Sequence, residues 1–172
     1  MRLFIGIKTG CEDYLAALQE ELKKCGRGNF TRAENLHLTL KFLGEVPSFR
    51  VKDISDAMAE VTTAPFSLEC RGVKLFGKNG IVSAEVGGTI APLVSLAAKL
   101  EDALEKTGFA KETRSFKPHI TLAREFRAFP GCDIFSIPHG CRKFTVHEMI
   151  LFESAKENGK LVYVPVHRQK LG

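Results

Sequence analysis

Residues 34–46 read ENLHLTLKFLGEV. Leu36, Leu38 and Leu40 alternate with His37 and Thr39, and successive side chains of a β-strand point to opposite faces, so the leucines share one face and the histidine and threonine the other. Residues 116–124, FKPHITLAR, do the same: His119 and Thr121 on one face, Ile120 and Leu122 on the opposite one. One His-x-Thr in a strand is ordinarily just the polar side of a half-exposed strand. Two copies, each flanked by apolar residues at the alternating positions, need a common explanation.

The surroundings supply it. RLFIGIK reads as a strand, and EDYLAALQEELKKCG as a helix with Tyr14, Leu15, Leu18 and Leu22 on one face and a stop at Gly26. Pro47 and Ser48 open a second helix over RVKDISDAMAEVTT. FSLECRGVKLFG and GIVSAEVGG are strands split by the turn GKNG. APLVSLAAKLEDALEKTG is the clearest helix, with Leu93, Leu96, Leu100 and Leu104 in register, Pro92 near its start and Gly108 after its end. HITLAREF is a strand, and KFTVHEMILFES and KLVYVPVHRQKL are two more, joined by a turn at Glu157, Asn158 and Gly159. Strand, helix, His-x-Thr strand thus occupies residues 3–43 and recurs from Ile81 to HITLAR, the mark of a duplicated unit. No Gly/Ser/Pro linker parts the halves. The expectation is an α+β fold, one domain over residues 1–172, with two pseudo-symmetric, intertwined lobes sharing strands around a central cleft and helices outside.

Of the 172 residues, 44% are hydrophobic and 26% charged, enough for a sizeable core and without a low-complexity tract. The apolar run Leu3–Ile7 is too short for a signal-peptide core or a membrane span, so it reads as the first strand of a cytoplasmic protein. The five cysteines are scattered with no Cys-x-x-Cys spacing, which predicts reduced thiols and no zinc site, with Cys132 and Cys141 as inert small hydrophobes. His139, His147 and His167 lie among no clustered ligands, so no metal is expected. The net charge of +5 favours a phosphate-bearing partner.

If the duplicated units face each other about a pseudo-two-fold axis, the cleft holds two imidazoles and two hydroxyls in mirrored places. A phosphodiester needs a base for the attacking oxygen, an acid for the leaving oxygen on the far side of phosphorus, and donors for the non-bridging oxygens. Histidine, with an ordinary pKa of about 6.5, serves as either acid or base near neutrality. Threonine hydroxyls donate without adding charge.

At this point the sequence resembles the 2H phosphoesterases, and within them the bacterial and archaeal RNA 2′,3′-cyclic phosphodiesterases, historically called 2′-5′ RNA ligases. The resemblance rests on RLFIGI, ENLHLTLKFLGEV, RSFKPHITLAR with Arg114, Phe116 and Pro118 in place, and LFES followed by a glycine and LVYVPV. It implies a bilobal fold with two antiparallel sheets lining a cleft, and metal-independent opening of a 2′,3′-cyclic phosphate to a 2′-phosphate with no cofactor. His37 then matches the donor to the leaving 3′ oxygen and His119 the acceptor that activates water, although the symmetry of the repeat leaves the two roles exchangeable. Thr39 and Thr121 match the phosphate anchors. The implied partner is an RNA end carrying a cyclic phosphate, a tRNA fragment among them, or a cyclic nucleotide, handled by a monomer. Two alternatives stand beside it: ATP-independent 2′-5′ joining of RNA ends, and a non-catalytic module that binds RNA ends or nucleotides. The chain departs from such relatives at Ser83, where an aromatic is common, and at Arg32 and Ala33, where a proline is.

Phe42 and Arg124 each lie five residues past their motif histidine, where similar enzymes hold the terminal nucleobase. Strict alternation turns both away from the histidines, so this role requires a bulge or a strong twist. Lys41 shares the parity of His37 and Thr39; it is expected at a solvated strand end, with a phosphate-facing role as the alternative.

Overall fold

The computed structural model describes residues 1–77 and 79–172; Lys78 of the expected GKNG turn lies outside the described residues. In chain order the elements are β1 (Arg2–Ile7), α1 (Glu12–Cys25), β2 (Gly26–Phe30), β3 (Leu38–Glu45), α2 (Val51–Ala59), β4 (Phe66–Phe76), β5 (Ile81–Gly87), α3 (Ala91–Lys106), β6 (His119–Ala128), β7 (Cys141–Val146), β8 (Glu148–Glu157) and β9 (Lys160–Lys170). The strands run in the order β7-β4-β5-β6-β3-β1-β8-β9, with β2 also on β6. Every pairing is antiparallel.

The two expected sheets meet edge to edge where β3 and β6 pair, and they do so at one Cα pair, Leu38↔Ile120. Those are the middle residues of the two His-x-Thr motifs. Antiparallel pairing about that point sets His37 toward Thr121 and Thr39 toward His119.

The helices cross over. α1 lies against β2 and β6, whereas α3 lies against β3 and α2, so each long helix covers the motif strand of the other half. Leu15, Leu18 and Leu22 of α1 and Leu93, Leu96, Leu100 and Leu104 of α3 are fully buried, meeting Leu36, Leu38, Leu40, Ile120 and Leu122. Each such leucine contributes roughly 1.5–3 kcal/mol on burial, which fixes the helices on this face and leaves the other face of the motif strands open. On that other face Phe4, Ile150 and Phe152 form a small separate cluster with Tyr163 against it.

Three expectations need correction. KFTVHEMILFES is not one strand: it breaks at His147, with β7 pairing β4 and β8 pairing β1, so the chain passes from one half of the sheet to the other at that residue. β2 was not expected, because GRGNF carries no strand signal; its pairing with β6 is a tertiary effect. The cysteines are not all free. Cys25 and Cys132, 107 residues apart, form a disulfide with Cα atoms 5.5 Å apart, because β2 pairs Gly26 with Ala128 and the Phe129 amide donates to the Cys25 carbonyl. No helix among the described residues is long and apolar enough to cross a membrane.

Candidate active site

His37 stands one residue ahead of β3, behind a 3-10 turn at Ala33–Asn35. Asn35 is buried and pins that turn to β9: its amide donates to the Leu161 carbonyl at 2.9 Å, and its Oδ1 accepts from the Tyr163 amide at 3.2 Å. The Asn35 carbonyl lies 2.6 Å from His37 Nδ1. A carbonyl only accepts, so Nδ1 carries the proton and Nε2, 3.0 Å from Thr39 Oγ1, is left as the acceptor of the neutral ring. His119 opens β6 and is held the same way, with Nδ1 2.8 Å from the Lys117 carbonyl. Both rings therefore carry the proton on Nδ1 and present Nε2 unprotonated.

Aromatic side chains wall each ring. Phe4 and Tyr163 contact His37 at centroid distances of 4.8 and 5.0 Å, and Phe76 stacks on His119 at 3.7 Å and 19°. Gly6 leaves room for this packing: a Cβ there would lie 2.8 Å from the Leu38 carbonyl and 3.4 Å from His37 Cδ2. Burial, the largest cause, lowers the His37 pKa to about 4; the Asn35 bond opposes it, and the positive charges of Lys8, His119 and Arg124 add to it. His119 is also lowered, by burial first, with the Lys117 bond opposing and Lys74 and Arg124 adding. Arg124 thus lies within electrostatic reach of both imidazoles.

The bulge that Phe42 and Arg124 require is present in both strands. β1 pairs Gly6 with Thr39 but Ile5 with Lys41, so Leu40 is an extra residue and parity reverses after it. Phe42 then pairs with Phe4 on the histidine face, 6.1 Å from its ring and 67% exposed. β5 pairs Ser83 with Thr121 but Val82 with Ala123, so Leu122 is the extra residue and Arg124 returns to the face of Thr121. Thr39 and Thr121 are half-buried on that face. Ser83, opposite Thr121, is fully buried, and its hydroxyl has no hydrogen-bond partner among the described residues.

The same bulge overturns both readings of Lys41. It is neither solvated nor on the cleft: only 8% exposed, it pairs with Glu101 of α3 at 2.7 Å and donates to the Ala110 carbonyl at 2.7 Å. Glu101 also accepts from the Glu112 amide, so one buried ion pair ties β3 to the segment leading into His119. Removing one partner of such a pair costs roughly 3 kcal/mol or more. Lys41→Met should lower the unfolding free energy by that amount in urea titration, and a loss under about 1 kcal/mol would make the pair incidental.

Tyr163, Phe76, Phe4, Gly6 and Asn35 were not singled out in the sequence. Strand alternation marks Phe4 and Gly6 as sharing a face, but their approach to His37 depends on register. Among the described residues no three His, Cys, Asp or Glu side chains gather in a way that would hold a metal ion.

Two His-x-Thr strands joined at their centres in a duplicated antiparallel frame define a class, the two-histidine phosphoesterases. The family model for LigT-like phosphoesterases matches residues 5–83 and 86–163, and each stretch contains one motif; the chain belongs to that family. An RNA 2′,3′-cyclic phosphodiesterase of Archaeoglobus fulgidus is 31% identical over 134 residues, 76% of either chain. Another, from Geobacillus stearothermophilus, is 34% identical over 131 residues, which are 72% of this chain but 42% of that protein. The crystal structure of Escherichia coli LigT complexed with 3′-AMP superposes with a TM-score of 0.83 at 28% identity, covering 99% of this chain and 97% of that one.

Proposed function

We propose that the protein hydrolyses 2′,3′-cyclic phosphate at RNA ends to a 2′-phosphomonoester, without a metal or other cofactor. The observation that carries this is the Leu38↔Ile120 pair, since it centres two imidazoles and two hydroxyls on one point. The relatives' activities and the nucleotide bound to the Escherichia coli enzyme lend support. His119 Nε2 takes a proton from water, the water oxygen bonds to phosphorus in line with the 3′ oxygen, the P–O3′ bond breaks, and His37 returns a proton to that oxygen. Thr39 and Thr121 donate to the non-bridging oxygens. Phe42 stacks on the terminal base, and Arg124 neutralises charge beside it. The test is incubation of the protein in EDTA with RNA ending in a 2′,3′-cyclic phosphate, followed by phosphorus NMR. The expected product is the 2′-phosphate at an undiminished rate. A 3′-phosphate product, or loss of rate on chelation that a divalent ion restores, would contradict the scheme.

The lowered pKa values shape the pH dependence. The working state needs one ring protonated and the other neutral, and burial disfavours the cation on both, with His37 at about 4 and His119 below its usual 6.5. The scheme uses His37 protonated and His119 neutral. Because His37 is the more strongly lowered ring, that is the minor of the two singly protonated forms in the free enzyme, yet its share is largest between the two values, so kcat/KM should rise from neutral pH into acid and peak between about pH 4 and 6.5. A bound phosphate anion favours both imidazolium forms, so kcat should peak at higher pH than kcat/KM. Identical optima for the two parameters, both above neutrality, would show that burial does not set these groups.

A further inference from the structure

Beside His119 lies an open cavity of about 340 Å³ lined by Arg71, Lys74 and Lys117, with Phe76 and Phe116 among its walls. Three cations face one carboxylate there, Glu85, and that carboxylate sits 3.7 Å from Arg71. Lys74 is half-buried, and among the described residues neither it nor Lys117 has a carboxylate partner. The cavity adjoins the reacting centre directly: Phe76 stacks on His119, the Lys117 carbonyl holds its Nδ1, and Glu85 is its partner across β5 and β6.

Arg71 owes its position to a glycine. A Cβ on Gly87 would come within 2.7 Å of Arg71 Cζ and Nε, so only the bare backbone at the end of β5 lets the guanidinium lie across it and line the cavity. The obstructing atoms belong to the tip of a flexible side chain. An alanine there would displace the arginine without disturbing the strand.

We propose that this cavity is a second nucleotide subsite, in which Arg71, Lys74 and Lys117 hold an internucleotide phosphate of the RNA strand next to the reacting cyclic phosphate. It rests on the function proposed above and narrows the substrate class: the protein selects oligonucleotide ends over cyclic mononucleotides. Guanidinium and ammonium donors match a phosphodiester, and the aromatic walls offer a face to the adjoining sugar and base. The net positive lining also makes the preference salt-dependent, because binding the strand releases its counterions.

The test compares kcat/KM for a cyclic mononucleotide and for a tetranucleotide ending in 2′,3′-cyclic phosphate, in wild type, Arg71→Ala and Gly87→Ala. Wild type should favour the tetranucleotide by about 10-fold or more at low salt, and both variants should erase most of that ratio. Binding of a tetranucleotide already ending in 2′-phosphate is measured alongside by calorimetry, and should weaken by about 10-fold in both variants. Equal kcat/KM for the two substrates in wild type, or a ratio untouched by both substitutions, would overturn the subsite. If wild type turned over neither substrate, the proposed hydrolysis would fail. The binding measurement would then judge the subsite alone, with weakening in the variants supporting it and unchanged affinity overturning it.

Discussion

His37→Ala and His119→Ala are each expected to lower turnover of a 2′,3′-cyclic phosphate RNA end by at least ~100-fold while leaving the fold intact, since general acid and general base are each worth about 10²- to 10⁴-fold. Neither ring has a spare: His139, His147 and His167 belong to neither motif, and each motif supplies one imidazole at the start of its strand. The two substitutions can also be told apart. A phosphodiester with a nitrophenolate leaving group needs no acid, because that oxygen departs readily as the anion, whereas water still needs a base. His37→Ala should therefore recover much of its loss on such a substrate and His119→Ala should not. The reverse pattern would exchange the two roles. Near-normal turnover by the double variant, with circular dichroism and unfolding unchanged, would end the catalytic reading.

The motif strands are legible in the sequence because alternation is a local property. Leu36, Leu38, Leu40, Ile120 and Leu122 announce the buried face, and His37, Thr39, His119 and Thr121 follow on the other. The periodic leucines of α1 and α3 are equally plain. A bulge is not, because one unpaired residue leaves no trace in composition. The extra Leu40 turns Lys41 inward to Glu101 and Phe42 outward to the cleft, so the alternation that succeeds at Thr39 misleads two residues later. Phe76, Tyr163 and the Cys25–Cys132 bridge depend on register between segments far apart in the chain. His147 hides a crossing between sheet halves inside what reads as one continuous strand.

Thr39→Ala and Thr121→Ala should each lower turnover by roughly 10- to 1,000-fold, the range for removing one preorganised donor to a developing phosphoryl charge. In the free protein the Thr39 hydroxyl donates to His37 Nε2 at 3.0 Å; the proposed scheme requires the same hydroxyl to rotate to a non-bridging oxygen when substrate binds, which would free Nε2 for proton transfer. Antiparallel pairing about Leu38↔Ile120 sets Thr121 toward His37 and Thr39 toward His119, so in the proposed scheme the two hydroxyls flank the phosphate between the two rings. What matters in this arrangement is the O–H, and valine and serine separate it from shape. Thr→Ser at either position keeps the donor and should stay within a few-fold of wild type, whereas Thr→Val keeps the outline and should be as damaging as Thr→Ala. Steady-state kinetics on the cyclic phosphate decides between them. A harmless Thr→Val beside a damaging Thr→Ser would mean that the methyl group packs the motif strand in place and that the phosphate is anchored by other donors.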